Sequence, residues 1–227
     1  MTPWVTIEGV NGVGKSHLGR LAAQQLGAQC VALVELPDLP PGGLPGRVIG
    51  ALHGAGDLFL RTGSPRTETL LLAALQVHRW EGLGAVGPGQ VVLEDRGPHS
   101  VAIYQAAVLA EDRAADDAWA LEQALAIAAT IGAWRPPPTA TILLLDDARQ
   151  CLERFEARIR RRCASDELAL IARVGRLYRL FIAAQPGRWT VLDRREVGED
   201  AAVEFIADVC RRAAAVRPGR TTPCSVR

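Results

Sequence analysis

The chain has 227 residues, of which 48% are hydrophobic and 22% charged, and its formal net charge is +1. This length suffices for one α/β domain with a sizeable core, and the near-neutral charge gives no sign of a nucleic-acid partner. The longest apolar stretch, residues 119–134, is too short to span a bilayer. We therefore expect a buried helix there and no membrane segment.

The cysteines indicate a reducing environment. There are five, an odd number, and no C-x-x-C pair occurs. Free thiols are the simplest explanation of such a set. The first residues also lack the basic and apolar regions of a secretory signal. These features predict a cytoplasmic protein.

The first predicted elements are a short buried strand at residues 5–8 and a phosphate-binding loop. Residues 9–16 read Gly-Val-Asn-Gly-Val-Gly-Lys-Ser, and a helical pattern at residues 16–26 follows. Glycines let the backbone wrap an anion, and the free N–H groups at the start of the helix point at phosphate. The order of strand, loop and helix predicts an ATP site at Gly9, Asn11, Gly12, Val13, Gly14, Lys15, Ser16 and His17.

Further apolar runs and helical patterns alternate along the rest of the chain. The runs are short and do not alternate in polarity, as expected for parallel strands covered on both faces. The order of elements predicts right-handed crossovers and a parallel sheet. Loops are predicted at 40–43 and 82–89, and a disordered tail at 216–227. The predicted strands are residues 31–34, 91–94, 141–145 and 190–192, and the helices are residues 67–81, 118–131, 148–162, 167–184 and 201–215.

Polar residues that follow the predicted strands indicate the chemistry. Ligands bind beyond the carboxyl ends of the strands in an open parallel sheet. Glu35 follows the second strand, and Asp95 and Arg96 follow the third. Together with two late helices that carry many arginines, they suggest phosphoryl transfer, which depends on positioning and positive charge.

Several separated motifs resemble those of thymidylate kinases, which are nucleoside monophosphate kinases with a phosphate-binding loop. Residues 8–16 match the family's opening motif apart from Asn11, which replaces an acid. Residues 35–37 stand where the family has Arg-Glu-Pro, and residues 67–74 match its Thr-Glu-x-Leu-Leu helix. The most specific match is the motif Asp-Arg-x-x-x-Ser-x-x-x-Tyr-Gln, present here as Asp95, Arg96, Ser100, Tyr104 and Gln105.

The resemblance implies both a fold and an activity. The fold is a three-layer α/β/α domain over residues 1–215, with a five-stranded parallel sheet in the order 2-3-1-4-5. An arginine-rich lid would lie at about residues 155–167. The activity is transfer of the ATP γ-phosphate, with Mg²⁺, to a nucleoside monophosphate.

The resemblance also implies roles for individual residues. Ser16 would hold Mg²⁺, with Asp95 acting through water, and Arg96 would bridge the donor and acceptor phosphates. Because the loop position that is arginine in some members is Val13 here, the catalytic arginine would come from the lid. Arg162 aligns best for that role, and Arg158 would contact ATP. Lys15, Asp95, Arg96 and Arg162 would thus be catalytic, and the acceptor pocket would comprise Glu35, Pro37, Arg47, Leu72, Gln76, Arg96, Ser100, Tyr104 and Gln105.

The base-reading positions depart from the family pattern. The family stacks a phenylalanine on the base and contacts it with an arginine four residues later, whereas this chain has Leu72 and Gln76. Gln76 has both a donor and an acceptor face, where arginine has donors only. The motifs expected to bind ATP, the phosphate donor, are intact. The sequence therefore leaves three possible acceptors, which are dTMP, another nucleotide and a small molecule of a specialised pathway.

Two other functions and an assembly are also compatible with the sequence. Glu35 could be the general base of a deoxynucleoside kinase, although Gly97 stands where those enzymes have serine. A nucleotide-binding regulator without turnover is the third reading, which the complete set of Lys15, Ser16 and Arg96 disfavours. The apolar pattern at residues 118–131 leaves a homodimer open.

Overall fold

Five parallel strands form one sheet in the order β2-β3-β1-β4-β5. The computed structural model describes residues 2–54, 56–187 and 189–215, so the predicted tail at 216–227 lies outside the described residues. The predicted order is confirmed, and each predicted strand end lies within one residue of the observed one. The strands are β1 (Trp4–Glu8), β2 (Cys30–Leu33), β3 (Val91–Asp95), β4 (Ala140–Leu145) and β5 (Trp189–Asp193).

Helices cover both faces of the sheet, which confirms the three-layer prediction. α1 (Lys15–Leu26) and α8 (Glu199–Ala215) pack together on one face. α4 (Pro98–Asp112), α5 (Asp117–Trp134) and α7 (Ser165–Ala184) pack together on the other. The remaining helices are α2 (Gly43–His53), α3 (Pro65–Glu81) and α6 (Ala148–Ile159).

The side chains of β1 and β4 separate two apolar cores. Ile7 and Ile142 belong to the cluster beneath α1 and α8, whereas Leu143 belongs to the cluster beneath α4 and α7. This alternation follows from the strand geometry, because successive side chains point to opposite faces. A third, smaller cluster joins α2 and α3 to residues such as Leu36 and Val101. It forms the apolar wall beside the carboxyl ends of β2 and β3.

Four sequence predictions need correction. α2 and α4 were not predicted. α2 begins at the end of the loop predicted at 40–43, and Pro98 opens α4, where a helix tolerates proline. α6 ends at Ile159 rather than Arg162, because Arg160 adopts a left-handed backbone with φ 58°. α5 is not buried all round: Trp134 is 73% exposed.

None of the described helices combines the length and the apolar character needed to cross a bilayer.

Candidate active site

The phosphate-binding loop lies between β1 and α1 and depends on glycine. Gly9, Gly12 and Gly14 have φ values of 142°, 76° and 98°, which side chains rarely adopt. A Cβ on Gly12 would lie 1.9 Å from the carbonyl oxygen of Cys151 in α6. α1 begins at Lys15 with no side-chain cap, so the N–H groups of its first turn point out of the helix toward the loop. The loop and helix start can therefore surround an anion.

Lys15 brings a buried amine to this loop. It is only 4% exposed, and its Nζ donates a hydrogen bond to the carbonyl oxygen of Val10 at 2.8 Å. Burial lowers the pKa of Lys15 to about 7, and the charge of Arg96 lowers it further, against the opposing effect of Glu35. A phosphate beside this amine favours its charged form.

Arg96 lies between the phosphate-binding loop and the region after β2. Its Nη2 donates to Oδ1 of Asn11 in the loop, and its Nε donates to Oε1 of Glu35 at 2.9 Å. Tyr104 donates to the same oxygen of Asn11 at 3.1 Å, and the guanidinium carbon of Arg96 lies 4.9 Å from the Tyr104 ring centroid. Arg96 directly follows the last residue of β3 and has a left-handed backbone, φ 59°. The Arg96 guanidinium thus contacts one residue of the phosphate-binding loop and one residue of the segment after β2.

The ionisation of Glu35 depends on the neighbouring Arg96. Burial alone would raise the pKa of Glu35, but the nearby charges of Arg96 and Lys15 lower it to about 2. Asp38 responds in the opposite direction, because burial and the charge of Glu35 raise its pKa. Glu35 is therefore an ionised carboxylate and a weak base at neutral pH.

A cavity of about 280 Å³ opens beside Arg96. Its volume is close to the lower end, roughly 300 Å³, of small-molecule sites. Of the residues predicted for the acceptor and ATP, those that line it are Asn11, Glu35, Pro37, Leu72, Gln76, Arg96, Ser100, Tyr104, Gln105 and Arg158. Residues that the sequence did not predict complete the wall: Leu36, Asp38, His53, Leu58, Phe59, Leu60, Val101, Phe155 and Ile159.

Two of the predicted acceptor residues make internal hydrogen bonds. Ser100 donates to the buried carboxylate of Glu8, and its oxygen lies 2.9 Å from the Tyr178 hydroxyl. Gln105 accepts a hydrogen bond from Thr69 at 3.1 Å. Both side chains hold α4 in place at the cavity wall, so the motif that contains them also has a structural role.

Asp95 and Ser16 are suited to a hydrated Mg²⁺. Asp95 is buried, and its Oδ1 has no hydrogen-bond partner among the described residues. Burial raises the pKa of Asp95, the negative charge of Glu35 raises it further, and the hydrogen bond with Ser16 lowers it. An unpaired buried carboxylate oxygen next to a hydroxyl fits an ion that takes few protein ligands and completes its shell with water and phosphate.

Arg162 and Arg47 lie outside the cavity. Arg162 is 87% exposed and forms an ion pair with Glu156 at 2.5 Å. Its neighbour Arg161 pairs with Glu167 at 2.6 Å, whereas Arg158 reaches the cavity. Arg47 is exposed on α2. The catalytic role of Arg162 and the acceptor role of Arg47 remain predictions.

On the donor side, His17 is exposed and lies 2.9 Å from the carboxylate of Glu199 at the start of α8. The side chain of Val13 is fully buried in the core, so Val13 can contribute only its backbone to the binding surface of the loop. Arg194, which follows β5, was not predicted as a site residue because no motif includes it. Its Nη1 donates to the carbonyl oxygen of Val13 at 3.2 Å and thus supports the loop from the far end of the sheet.

The chain is similar along most of its length to known thymidylate kinases. It is 32% identical over 225 residues to the thymidylate kinase of Roseiflexus castenholzii (strain DSM 13941 / HLO8), with 92% of this chain and 93% of that protein covered. It is 31% identical over 224 residues to the thymidylate kinase of Roseiflexus sp. (strain RS-1), with 92% and 94% covered.

A solved structure supports the same fold. The crystal structure of thymidylate kinase from Ehrlichia chaffeensis superimposes with a TM-score of 0.62 and 17% identity, covering 92% of this chain and 97% of that one. At this identity the similarity concerns the fold alone. No family model matches the chain.

Proposed function

Because the chain belongs to the thymidylate kinase family, we propose that it transfers the γ-phosphoryl group of ATP to the phosphate of a nucleoside monophosphate. The observation that carries this proposal is the position of Arg96. Its guanidinium contacts Asn11 of the phosphate-binding loop on one side and Glu35 of the cavity on the other. A cation between two anion sites suits a reaction in which charge moves from one phosphate to another.

The other residues would position and neutralise the reactants. Lys15 and the N–H groups of the loop would hold the donor phosphates, and Arg96 would hold the acceptor phosphate near them. Ser16 and Asp95 would hold Mg²⁺, which neutralises charge on the phosphates when bound. The segment at 155–167 would close over the donor and exclude water, since hydrolysis would otherwise compete with transfer.

A nucleoside kinase is the second candidate, because a carboxylate after β2 does line the cavity. Such an enzyme needs Glu35 to remove a proton from a 5′-hydroxyl. The pKa of Glu35 is lowered to about 2 by Arg96 and Lys15 despite its burial, which makes it a poor proton acceptor near pH 7. This favours a monophosphate, whose reacting oxygen is already ionised.

An acceptor screen tests the proposal. ADP formation would be measured with ATP and Mg²⁺ against nucleoside monophosphates, the matching nucleosides, and unrelated alcohols and phosphates, with products identified by mass spectrometry. We expect a nucleoside diphosphate as the main product. Transfer to nucleosides alone, abolished by Glu35→Gln, would favour the second candidate.

The same screen addresses the remaining alternatives. Tight ATP binding with no product on any acceptor would mean a nucleotide-binding regulator without turnover. Transfer to a non-nucleotide acceptor alone would keep the kinase chemistry and replace the substrate class. The sugar and base preferences then follow from comparing the monophosphates that react.

A further inference from the structure

A short segment before α3 forms part of the cavity wall and is held by its own side chains. This wall segment, residues 57–62, presents Phe59 and Leu60 to the cavity. Asp57 accepts hydrogen bonds from the backbone N–H groups of Phe59, at 2.7 Å, and of Arg61, at 3.2 Å. Leu60 has a left-handed backbone, φ 62°, which a residue with a side chain keeps only where its surroundings hold it. The wall segment is therefore one ordered unit.

Both ends of the proposed lid, residues 155–167, contact the wall segment. At the start of the lid, the ring centroid of Phe155 lies 6.1 Å from that of Phe59, and both side chains are buried. At the end of the lid, Nη2 of Arg61 lies 2.7 Å from Oδ2 of Asp166, in the first turn of α7. The segment that supplies apolar side chains to the acceptor cavity is thus also joined to the lid.

Arg61 is held by the body of the protein as well as by the lid. Its side chain is only 18% exposed, and it also pairs with Asp57 at 2.8 Å and with Glu111, near the end of α4, at 3.3 Å. The planar guanidinium presents its N–H donors in a fixed fork, so these carboxylates determine its orientation. Because several negative charges surround it, Arg61 stays paired when one carboxylate is removed. The contact with Asp166 can therefore be tested without leaving a cation unpaired.

We propose that Arg61 is a positioning residue that couples the two substrates: it joins the wall segment to the lid, so that an occupied acceptor cavity favours closure of the lid over ATP. The inference rests on the proposed function, because it concerns transfer between those two substrates. An acceptor that packs against Phe59 stabilises the wall segment, and the contacts with Phe155 and Asp166 extend that stabilisation to the lid. Coupling of this kind is reciprocal, so ATP tightens acceptor binding by the same factor.

This coupling would protect ATP when the acceptor is absent. A lid that closed over ATP beside an empty cavity would leave room for water near the γ-phosphate, and hydrolysis would compete with transfer. If the wall segment and the lid move together, closure is most favourable when the cavity is filled. The chain would thereby link water exclusion to the presence of the second substrate.

The coupling factor is measured as a ratio of two dissociation constants. Calorimetry gives the Kd of β,γ-methylene-ATP with Mg²⁺, first without acceptor and then with saturating acceptor. The acceptor probe is dTMP, or whichever monophosphate reacts fastest in the acceptor screen. We expect the acceptor to lower this Kd about tenfold in the wild-type protein. Because both constants come from the same protein, a general loss of stability does not by itself change their ratio.

Asp166→Ala and Glu111→Ala form a matched pair, because each removes one carboxylate from the same guanidinium. Asp166 is 50% exposed and Glu111 is 40% exposed, but only Asp166 belongs to the lid. Asp166→Ala should reduce the coupling factor to about twofold or less, whereas Glu111→Ala should leave it within about twofold of the wild-type value. Arg61→Met should act like Asp166→Ala, and the double variant should show no further loss, since both remove one contact.

The outcomes separate this inference from the proposed function. A coupling factor near one in a wild-type enzyme that transfers phosphate overturns the inference alone. So does a factor that survives Asp166→Ala, or one that Glu111→Ala lowers equally. If Arg61→Met fails to fold, the comparison of Asp166→Ala with Glu111→Ala decides alone. Absence of both binding and transfer with every nucleotide overturns both the inference and the proposed function.

Discussion

The phosphate-binding loop and the acceptor cavity are built in different ways. The loop is one continuous segment, residues 9–16, and it would bind phosphate through backbone N–H groups that its glycine conformations expose. The cavity is assembled from side chains that are distant in sequence, from Asn11 to Ile159. A short motif can therefore specify the first region, whereas the second depends on how helices and loops pack around β2 and β3.

This difference separates two kinds of specificity. The loop would recognise phosphate, which every nucleoside triphosphate shares, and the glycines leave little room for variation. Arg96 and Tyr104 of the cavity wall hydrogen-bond to Asn11 of the loop, whereas apolar wall residues such as Leu72 can change without affecting the loop. Substitutions in the loop should therefore abolish transfer, and those in the cavity should change which acceptor is used.

The largest expected effect is at Lys15. Lys15→Ala removes the buried ammonium that would neutralise the transferring group, so kcat should fall by about 10³-fold or more. The measurement is steady-state ADP formation, with circular dichroism to verify folding. Arg20→Ala, on the exposed face of the same helix, is the control and should leave kcat within about twofold. Turnover that survives in Lys15→Ala would mean that the loop does not hold the donor phosphates as proposed.

The lid arginines test where the donor side meets the acceptor side. Arg162→Ala should lower kcat by about 10²-fold or more with little change in the KM for ATP, because its charge is needed as the phosphoryl group moves. Arg158→Ala should instead raise the acceptor KM, since Arg158 lines the cavity. Arg149→Ala, an exposed arginine of α6, the helix that also carries Arg158, is the control. An unchanged kcat in Arg162→Ala, with a large loss in Arg158→Ala, would move the catalytic role to Arg158.

Glu8 joins the two regions, and its ionisation should affect stability. It ends β1 just before the loop, and its carboxylate accepts hydrogen bonds from the Gly97 N–H and from Ser100. Burial raises the pKa of Glu8 to about 7, against the lowering effect of Ser100. The folded protein therefore binds the proton more tightly than the unfolded chain does. The stability this proton contributes is complete below pH 4.5 and is lost as the pH rises to about 7.

Glu8→Gln should remove that pH dependence. Urea unfolding of both proteins at pH 5 and pH 8 gives the change in unfolding free energy. The wild type should lose stability relative to the variant by about 3 kcal/mol at most between these values. A difference between the two proteins that is the same at both pH values would show that Glu8 is ionised throughout.

The sequence predicted the parts of the structure that depend on local pattern. Short apolar runs fixed the five strands within one residue, because burial on both faces of a parallel sheet requires continuous apolar residues. The position of the loop between β1 and α1 was also predicted, since its glycine spacing specifies its own backbone. The motif around Asp95 and Arg96 also indicated most of the cavity wall around α4.

Long-range packing explains why some residues of the cavity and its surroundings were not predicted from the sequence. No element was predicted for α2 or for the segment before α3, yet they supply His53 and Phe59 to the cavity. Arg135 stands before three prolines and showed no pattern, and only the fold brings it to Glu94. Leu72 stands where the family has a stacking phenylalanine, and Phe59, which was not predicted, brings an aromatic ring to the cavity wall from another segment.

Substitution of Phe59 gives the smallest expected effect. It tests whether the Phe59 ring takes the place of the phenylalanine that is absent at position 72. It lines the cavity and packs nearly parallel to Tyr104, with ring centroids 6.4 Å apart. Phe59→Leu keeps an apolar side chain but removes the ring, so the KM for a nucleotide acceptor should rise about three- to tenfold while kcat changes little. Phe205→Leu on α8 is the control, since it packs in the core on the opposite face of the sheet. If both variants behave alike, the loss reflects general destabilisation, and the base is held by Leu72 and its apolar neighbours without an aromatic contact.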